Sequence, residues 1–248
     1  ISIYRDTLLK QEDGEFAKAN SAYARGGPQA AIALMNRNLD LDIQNYVSVN
    51  FNSLVDIVDA LGGIEIELTE EERVHMNNYQ VETAEVVGQS VQEVEEAGLQ
   101  KLNGVQAVSY SRIRYTDGGD YKRAERQRLV LQKIVEKAQK ANLLTLNKLL
   151  DKVLPQISTS FSQKQLLGIA ANALSYKIGE MRGFPFEVAG TDKIAGDNAS
   201  YVIPVGIANN VTQLHQFLFA EENYVPSEIV QSISDEVSEL SGIYPENE

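Results

Sequence analysis

Guanidinium groups bind phosphate and carboxylate oxygens through planar pairs of hydrogen bonds, and this sequence concentrates them in one short segment. Five of the ten arginines of the 248-residue chain lie between positions 112 and 128. The chain as a whole is acidic, with a formal net charge of −13. Such a local excess of positive charge requires either carboxylates from elsewhere in the chain or an anionic ligand.

The predicted elements around this segment favour the ligand. The alternation over residues 108–115 predicts a strand, on which Arg112 and Arg114 would leave the same face. A long helix is predicted from about Tyr121 to Lys140, directly after a glycine-rich loop. Because the N-terminus of a helix carries partial positive charge and free N–H groups, it attracts anions.

One stripe of the predicted helix carries Arg123, Gln127, Val130 and Ile134 at the spacing of a buried face. An arginine that faces a core is costly unless an anion meets it. We therefore expect the strand arginines, the helix arginine and the helix N-terminus to converge on one phosphate-binding point. The alternative is a structural ion-pair network with these acidic partners: Asp6, Asp117, Asp120 and Glu125.

A second charged pair, Arg5 and Asp6, follows the first predicted strand. Strand ends that open into loops are where open α/β sheets place ligand-binding groups. Asp6 either pairs with a neighbouring cation or holds Mg²⁺ against phosphate oxygens, because Mg²⁺ often uses only one or two protein carboxylates. Lys18 and Arg25 add positive charge just before residues 26–28, a Gly-Gly-Pro turn that is predicted to end one element and begin a helix.

Composition excludes several classes of protein. The chain has no cysteine, which excludes disulfide frameworks, thiolate zinc sites and cysteine nucleophiles. Its two histidines lie far apart in sequence, which argues against imidazole catalysis. No stretch approaches the ~20 apolar residues of a membrane-spanning helix, and the acidic charge argues against a nucleic-acid partner. The strand-like start at Ile1 leads us to expect a processed or partial chain.

Predicted strands and helices alternate along the chain, which is typical of one α/β domain with a layered sheet. Residues 64–68 alternate as a strand, and Asn103 is positioned to cap a short helix that ends at Ala107. The acidic residues within 69–99 are interpreted as a solvated excursion. Residues 221–248 are predicted to be a peripheral acidic extension.

Taken in order, these segments resemble the LytR–CpsA–Psr family of bacterial cell-envelope proteins. The resemblance covers about residues 1–140, and more weakly the last strand and helix through Phe219. It is carried by these stretches: Ser2–Thr7, Lys18–Tyr23 with Gly26–Pro28, Phe51–Glu67, Gly98–Gly104 and Tyr110–Arg128. One such motif is modest evidence, whereas all five in this order and spacing are specific.

The resemblance implies a fold and an activity. The fold would be a single-domain α/β/α sandwich with a central mixed sheet and an apolar lipid pocket between the sheet and the helices. The activity would be that of a phosphotransferase that moves a glycopolymer (teichoic acid or capsular polysaccharide) from a polyprenyl-pyrophosphate carrier to peptidoglycan. The enzyme would use Mg²⁺ and lie on the extracellular face of the membrane of a Gram-positive bacterium, held by a single-pass anchor upstream of this sequence.

The resemblance also carries over residue by residue. The pyrophosphate-binding set would be Arg112, Arg114, Arg123 and Gln127, joined by Arg126 and Lys18. Catalysis would rest on Arg5, Asp6, Arg112 and Arg114, with Asp6 as the metal ligand. The catalytic domain would span residues 1–220, although a further strand and an acidic metal ligand that the family usually has upstream of Arg5 are not in this sequence.

Two other functions and two possible bases stay open at this point. A non-catalytic module that captures lipid-linked anionic polymers would need the same arginines. A hydrolase of the polyprenyl pyrophosphate would use water in place of the acceptor hydroxyl. Either Asp6 or Asp120 is positioned in the motifs to act as the general base for that hydroxyl.

Overall fold

The structure, a computed structural model, describes residues 1–172, 175–191, 194 and 199–245. Its mixed composition of strands and helices confirms the predicted α/β class. The described helices are α1 (Ala19–Leu39), α2 (Phe51–Ala60), α3 (Glu70–Val87), α4 (Gly104–Arg112), α5 (Gly119–Gln139), α6 (Leu143–Val153), α7 (Gln163–Ala171), α8 (Ile207–Phe219) and α9 (Glu228–Ser241). The chain divides into two compact units, one from Ile1–Gln44 with Met181–Glu248 and the other from Asn45–Glu180.

The strands are short. They are β1 (Ser2–Ile3), β2 (Leu8–Lys10), β3 (Phe16–Lys18), β4 (Val47–Ser48), β5 (Ile64–Leu68), β6 (Gly98–Leu102), β7 (Ser158–Thr159), β8 (Gly183–Phe184), β9 (Val188–Thr191) and β10 (Tyr201–Pro204). Strands β1 and β8 pair in parallel, and the other pairs (β2–β3, β4–β7, β5–β6 and β9–β10) are antiparallel. Pairing is therefore mixed, as predicted, but the described strands form separate two-stranded ladders.

The first unit, Ile1–Gln44 with Met181–Glu248, is built around a core that strands and helices share. Leu9, Phe184 and Ile203 are fully buried there, and Leu214 of α8 packs into the same cluster. Thr7, directly before β2, pairs in parallel with Val202 of β10. This bridge fixes the backbone that carries Arg5 and Asp6.

Helix α1 is interrupted where the sequence predicts a break. Gly26 and Gly27 leave helical geometry, and Gly27 has a φ of 65°, a region that favours glycine because it has no Cβ. Pro28 follows, where a missing N–H costs nothing at the start of a new helical segment. The predicted separation at this turn is confirmed, although both segments belong to one long, kinked element.

The expectation of a peripheral acidic extension after residue 220 is wrong for helix α9. Val230, Ile233 and Val237 are buried in the core of the first unit. Their spacing places them on one stripe, so the acidic residues between them occupy the opposite, solvated face. The acidic composition of residues 221–248 did not reveal that α9 is amphipathic, because composition counts the residues of its buried and solvated faces together.

The second unit, Asn45–Glu180, packs α2, α3, α4 and α5 around the β5–β6 hairpin. Ile64 and Ile66 are buried on one face of β5, which confirms the predicted alternating strand. Helix α4 is almost wholly enclosed, with every residue from Gly104 to Ser111 buried. An ideal Cβ on Gly104 would collide with the carbonyl oxygen of Val55, so α2 and α4 touch through backbone at this point.

The predicted strand over residues 108–115 is wrong. Helix α4 continues to Arg112, and Arg114 lies in the loop that follows. Asn103 caps the helix as predicted, and its backbone N–H donates in turn to the side chain of Gln106, which completes a capping box. The alternation of the segment misleads because an enclosed helix buries all sides, so that serines and apolar residues need not follow a helical period.

No helix in the part of the chain that the structure describes combines the length and apolarity needed to cross a membrane.

Candidate functional site

The eight site residues that the sequence predicts fall into two groups, one in each unit. The first unit holds Arg5, Asp6 and Lys18, and the second holds Arg112, Arg114, Arg123, Arg126 and Gln127. We call the second group, with the acidic residues that bind it, the arginine cluster. Its five predicted residues come from the end of α4, the loop that follows and the first three turns of α5, and acidic partners of the cluster come from α3 and α5.

Asp120 brings two arginines of the cluster together. Arg114 donates from Nε and Nη2 to the two carboxylate oxygens at 2.7 and 2.8 Å, and Nη1 of Arg123 lies 3.2 Å from Oδ1. Gly118 and Gly119 both have positive φ and turn the chain so that Asp120 enters the first turn of α5. Asp120 thus holds two guanidinium groups side by side at a helix N-terminus, which is a position that stabilises an anion.

Arg126 occupies the inward position that the sequence assigned to Gln127. Its side chain is only 7% exposed and donates from Nε to Oε1 of Glu72 at 2.9 Å. Its other nitrogens donate to the carbonyl oxygen of Ile113 and to Thr116. Because every nitrogen has an acceptor, Arg126 ties α5 to α3 and to the loop that carries Arg114.

Gln127 is exposed, and its predicted inward orientation is wrong. The inward stripe of α5 is formed by Arg126, Val130 and Ile134, together with Ala124. A helix repeats every 3.6 residues, so a spacing of three or four residues fits two neighbouring stripes equally well. Arg123 is nevertheless largely buried, with a side chain 13% exposed, and Gln127 contacts the carbonyl oxygen of Ser111 at 3.5 Å.

Arg112 lies between aromatic rings and a polar edge of α3. Its guanidinium carbon is 5.0 Å from the ring centroid of Phe51 and 5.5 Å from that of Tyr79. Nη1 donates to Thr83 at 2.9 Å and Nη2 to Glu82 at 2.8 Å. Stacking on rings and fixed hydrogen bonds hold the planar group in one orientation.

Asp120 was among the acidic partners that the sequence offered, but two others, Glu72 and Glu82, were not identified from the sequence. Glu72 and Glu82 lie in the segment that was interpreted as solvated, although Glu72 binds the buried Arg126. A local signal was present, because Thr69 and Glu72 have the spacing of a capping box. The box is formed at the start of α3, and it uses Oε2 of Glu72 while Oε1 binds Arg126.

Tyr110 extends this buried network. Its hydroxyl donates to Oε1 of Glu72 at 3.5 Å, and Arg126 lies 5.9 Å from its ring centroid. Burial, followed by the negative charge of Glu72, raises the pKa of Tyr110 to about 12. The tyrosine therefore stays neutral well above the pH at which an ordinary tyrosine ionises.

The group in the first unit is held more loosely. Oδ1 of Asp6 lies 3.5 Å from Nζ of Lys18 and 3.8 Å from Nε of Arg5. The backbone is better fixed, because the carbonyl oxygen of Asp6 accepts from the N–H of Val202 at 2.9 Å. Lys18 lies 5.4 Å from the ring centroid of Tyr201. The turn thus holds one carboxylate, 15% exposed, between two cations.

No group of three or more His, Asp or Glu side chains is arranged to hold a metal ion within the described residues. This donor set does not provide a protein cage for a cation. Asp6 does suit Mg²⁺ that takes most of its ligands from phosphate oxygens and water, because such ions need only one or two carboxylates. The long contacts from Arg5 and Lys18 leave room for that exchange of partners.

Ion pairing accounts for part of the arginine excess. Asp120, Glu72 and Glu82 each bind arginines of the cluster, whereas Glu125 accepts from Lys122. Between residues 112 and 128 there are six cationic side chains and three acidic ones, and Glu72 and Glu82 bring two more carboxylates to them. The arginines are therefore held in fixed orientations by their acidic partners.

Comparison with known proteins shows what the chain is similar to. Biofilm regulatory protein A of Streptococcus mutans is 39% identical over 145 residues, covering 55% of this chain and 34% of that protein. The polyisoprenyl-teichoic acid–peptidoglycan teichoic acid transferase TagV of Bacillus subtilis is 25% identical over 231 residues, covering 91% of this chain and 56% of that protein. The chain thus spans about a third to just over half of the length of these relatives.

A solved structure described as a transcriptional regulator from Enterococcus faecalis superposes with a TM-score of 0.72 and 25% sequence identity. The match covers 97% of this chain and 83% of that one. The model of the LytR_cpsA_psr family matches residues 1–216, which include both groups of site residues. The chain belongs to the LytR_cpsA_psr family.

Proposed function

We propose that this chain is the catalytic part of a phosphotransferase that moves a glycopolymer from a polyprenyl-pyrophosphate carrier to peptidoglycan. TagV, which the chain matches over 91% of its length, is named for the transfer of teichoic acid from a polyisoprenyl carrier to peptidoglycan. The glycopolymer is therefore assigned to the teichoic acid class, with a capsular polysaccharide as the other family substrate. The lipid pocket stays a prediction.

The observation that carries the proposal is the sharing of Asp120 by Arg114 and Arg123. A pyrophosphate presents several oxygens that can accept from guanidinium groups held in fixed positions. Arg114 is 42% exposed and so retains access to a ligand. Arg126 fixes the loop that carries Arg114 through hydrogen bonds to Ile113 and Thr116. The geometry favours a phosphorylated ligand over a carboxylate, since more than one arginine faces the same point.

These residues suit phosphoryl transfer, which depends on positioning and on neutralising charge. The acceptor hydroxyl oxygen forms a bond to the phosphorus next to the polymer, and the bond from that phosphorus to the polyprenyl phosphate breaks. Arg112, Arg114 and Arg123 would stabilise negative charge on the phosphate oxygens. The hydroxyl proton needs a base, and Asp120 is poorly suited to this role, because its oxygens already pair with two guanidinium groups.

Mg²⁺ remains part of the proposal, with Asp6 as its protein ligand. When bound, the ion would neutralise phosphate charge in the manner of other phosphoryl-transfer sites. Arg5 and Lys18 hold the Asp6 carboxylate in the absence of the ion. Because peptidoglycan lies outside the membrane, we propose that the reaction takes place on the extracellular face of a Gram-positive membrane and that a single span anchors the protein there.

The test is a transfer assay with a synthetic polyprenyl-pyrophosphate-linked glycopolymer and peptidoglycan. Arg114→Ala and Arg123→Ala should each lower the rate of transfer by about 100-fold or more, the usual cost of removing one group that stabilises transition-state charge. Lys122→Ala is the matched control, because Lys122 lies on the same helix and is paired with the exposed Glu125. Its rate should stay within twofold of the wild type.

Four outcomes separate this function from the alternatives. Loss of activity in proportion to loss of folded protein, measured by circular dichroism, would make the arginines structural. Binding of the donor by the wild type without any product would identify a non-catalytic module. Free polymer released when peptidoglycan is omitted, at the rate seen with it, would identify a hydrolase. Transfer that depends on both arginines in folded variants supports the transferase.

A further inference from the structure

Beside the arginine cluster lies a partly exposed aromatic surface that no part of the proposed mechanism uses. Its rings belong to His75 and Tyr79 on α3 and to Tyr115 in the loop after α4, and we call it the aromatic platform. The ring centroids of Tyr79 and Tyr115 are 6.4 Å apart with an interplanar angle of 21°. Those of His75 and Tyr115 are 6.5 Å apart at 36°.

Tyr115 is unusual in how little the fold covers it. Its side chain is 76% exposed, and within the described part of the chain it forms no hydrogen bond. A large ring normally contributes to stability through the area that it buries, so this position gains little from the fold. Exposed aromatic surface of this kind marks binding sites, where a ligand covers the ring.

The platform is continuous with Arg112. Helix α3 presents Tyr79 and Thr83 one turn apart, and the Arg112 guanidinium contacts both, at 5.5 Å from the ring centroid and 2.9 Å from the hydroxyl. On its other side Arg112 lies 5.0 Å from the Phe51 ring, which is also exposed. The surface therefore combines apolar ring faces with a cation held in a fixed orientation.

This combination limits the ligand. A sugar ring has an apolar face of C–H groups that packs on an aromatic ring, and hydroxyl groups at its edge that remain hydrated. A phosphate attached to that sugar would complement the cationic segment 112–128, which has six cationic and three acidic side chains. An isoprenoid chain, in contrast, would require an enclosed apolar surface rather than an open one bordered by charged groups.

We propose that the aromatic platform binds the sugar next to the phosphate of the glycopolymer, with the sugar face against Tyr115 and Tyr79 and the phosphate beside Arg112. This inference rests on the proposed function and adds a sugar subsite to it. Tyr115 acts as a positioning residue, because it holds the polymer in place and takes no part in the chemistry.

The chain contains no tryptophan, which allows a direct test. Tyr115→Trp retains an aromatic face and introduces a single fluorophore on the platform. Glucose 1-phosphate should change its emission, whereas inorganic phosphate should not. By calorimetry, Tyr115→Ala should weaken the binding of glucose 1-phosphate by about tenfold, the loss expected for one aromatic contact, and leave the binding of inorganic phosphate within twofold of the wild type.

Tyr176→Ala is the matched control, since Tyr176 is an exposed tyrosine of the same unit outside the platform. It should bind glucose 1-phosphate as the wild type does. The inference is overturned if Tyr115→Ala binds the sugar phosphate normally, or if uridine monophosphate binds as tightly as glucose 1-phosphate, which would indicate a site for nucleobases.

The transfer assay separates failure of this inference from failure of the proposed function. If the platform contributes, Tyr115→Ala raises the KM for the glycopolymer donor with little change in kcat, and Tyr115→Trp restores the KM. If Arg114→Ala abolishes transfer while Tyr115→Ala leaves KM unchanged, the transferase stands and the sugar subsite falls. A wild-type protein that transfers nothing but binds glucose 1-phosphate through Tyr115 would support the subsite and remove the transferase.

Discussion

The arginine cluster of the second unit and the Arg5–Asp6–Lys18 group of the first unit hold their charges in different ways. In the cluster, the carboxylates of Asp120 and Glu72 accept guanidinium hydrogen bonds of 2.7–2.9 Å. In the other group, the single carboxylate of Asp6 lies 3.5 and 3.8 Å from its cations. The first arrangement is fixed in advance, and the second has room to change partners.

This difference indicates separate roles for the two groups, one in stabilising charge and the other in binding a metal ion. Groups that stabilise charge are most effective when their orientation is set before the ligand arrives. A carboxylate that is to bind a metal ion must instead exchange its protein cations for that ion, which long contacts permit. The contrast leads to four predictions, on stability for the cluster and on metal response for Asp6.

The largest expected effect is on the buried pair of the cluster. Arg126→Ala should lower the free energy of unfolding by about 3 kcal/mol, because it leaves Glu72 without its buried partner. Denaturation with urea measures this change. A loss below about 1 kcal/mol would mean that the cluster is held no more firmly than a surface pair, and the comparison would fail.

The second prediction concerns alkaline pH. The pKa of Tyr110 is raised to about 12 in the folded protein from 10.0, so the unfolded chain releases this proton first. The contribution of the Tyr110 hydroxyl to the free energy of unfolding is therefore complete below pH 10. As pH rises from about 10 to 12, the free energy of unfolding should fall by roughly 2 kcal/mol. Denaturation at a series of pH values should show this slope in the wild type.

Tyr110→Phe is the control for that slope, since it keeps the buried ring and removes the ionisable hydroxyl. Its stability should fall less steeply than that of the wild type between pH 10 and 12. Identical slopes for the two proteins would show that the network around Glu72 does not perturb Tyr110.

The third prediction tests the loosely held group. Asp6→Asn should raise the Mg²⁺ concentration needed for half-maximal transfer by at least about tenfold, because an amide is a weaker ligand than a carboxylate. Its free energy of unfolding should stay within about 1 kcal/mol of the wild type, since the contacts of Asp6 are long. An unchanged Mg²⁺ requirement would remove Asp6 as the metal ligand.

The smallest effect is expected on the exposed side of α5. Lys122→Ala removes a pair with Glu125 in which both side chains are about half exposed, and should change the free energy of unfolding by less than about 0.5 kcal/mol. Lys122 and Arg126 are four positions apart on the same helix, so the two variants compare burial directly. Equal losses would contradict the assignment of Arg126 to the interior.

Much of the fold could be predicted from local patterns. The alternation of Ile64–Leu68, the cap at Asn103 and the break at Gly26–Gly27 each depend on neighbouring residues, and each is present in the structure. The long helix was also located to within two residues at its start. These features follow from backbone geometry, which the chain specifies over a few positions.

The site was harder to predict because its contacts are distant in sequence. Glu72 and Arg126 are 54 positions apart, and nothing near Glu72 distinguishes it from its acidic neighbours except the cap that it forms. The strand assigned to residues 108–115 failed for a related reason. Helix α4 is buried on all sides. A helix is recognised in a sequence by the alternation of its buried and exposed faces, and α4 has no exposed face to produce that pattern.

The backbone contact between Gly104 and Val55 has a consequence for genetic studies of this protein. A methyl group at position 104 would collide with the backbone of Val55, so that α4 and α2 could no longer pack at this distance. Arg112 lies at the far end of that helix, about 12 Å away at 1.5 Å per residue. A screen for inactive alleles would therefore recover changes at Gly104 beside those at the arginines, although this glycine has no side chain with which to meet a substrate.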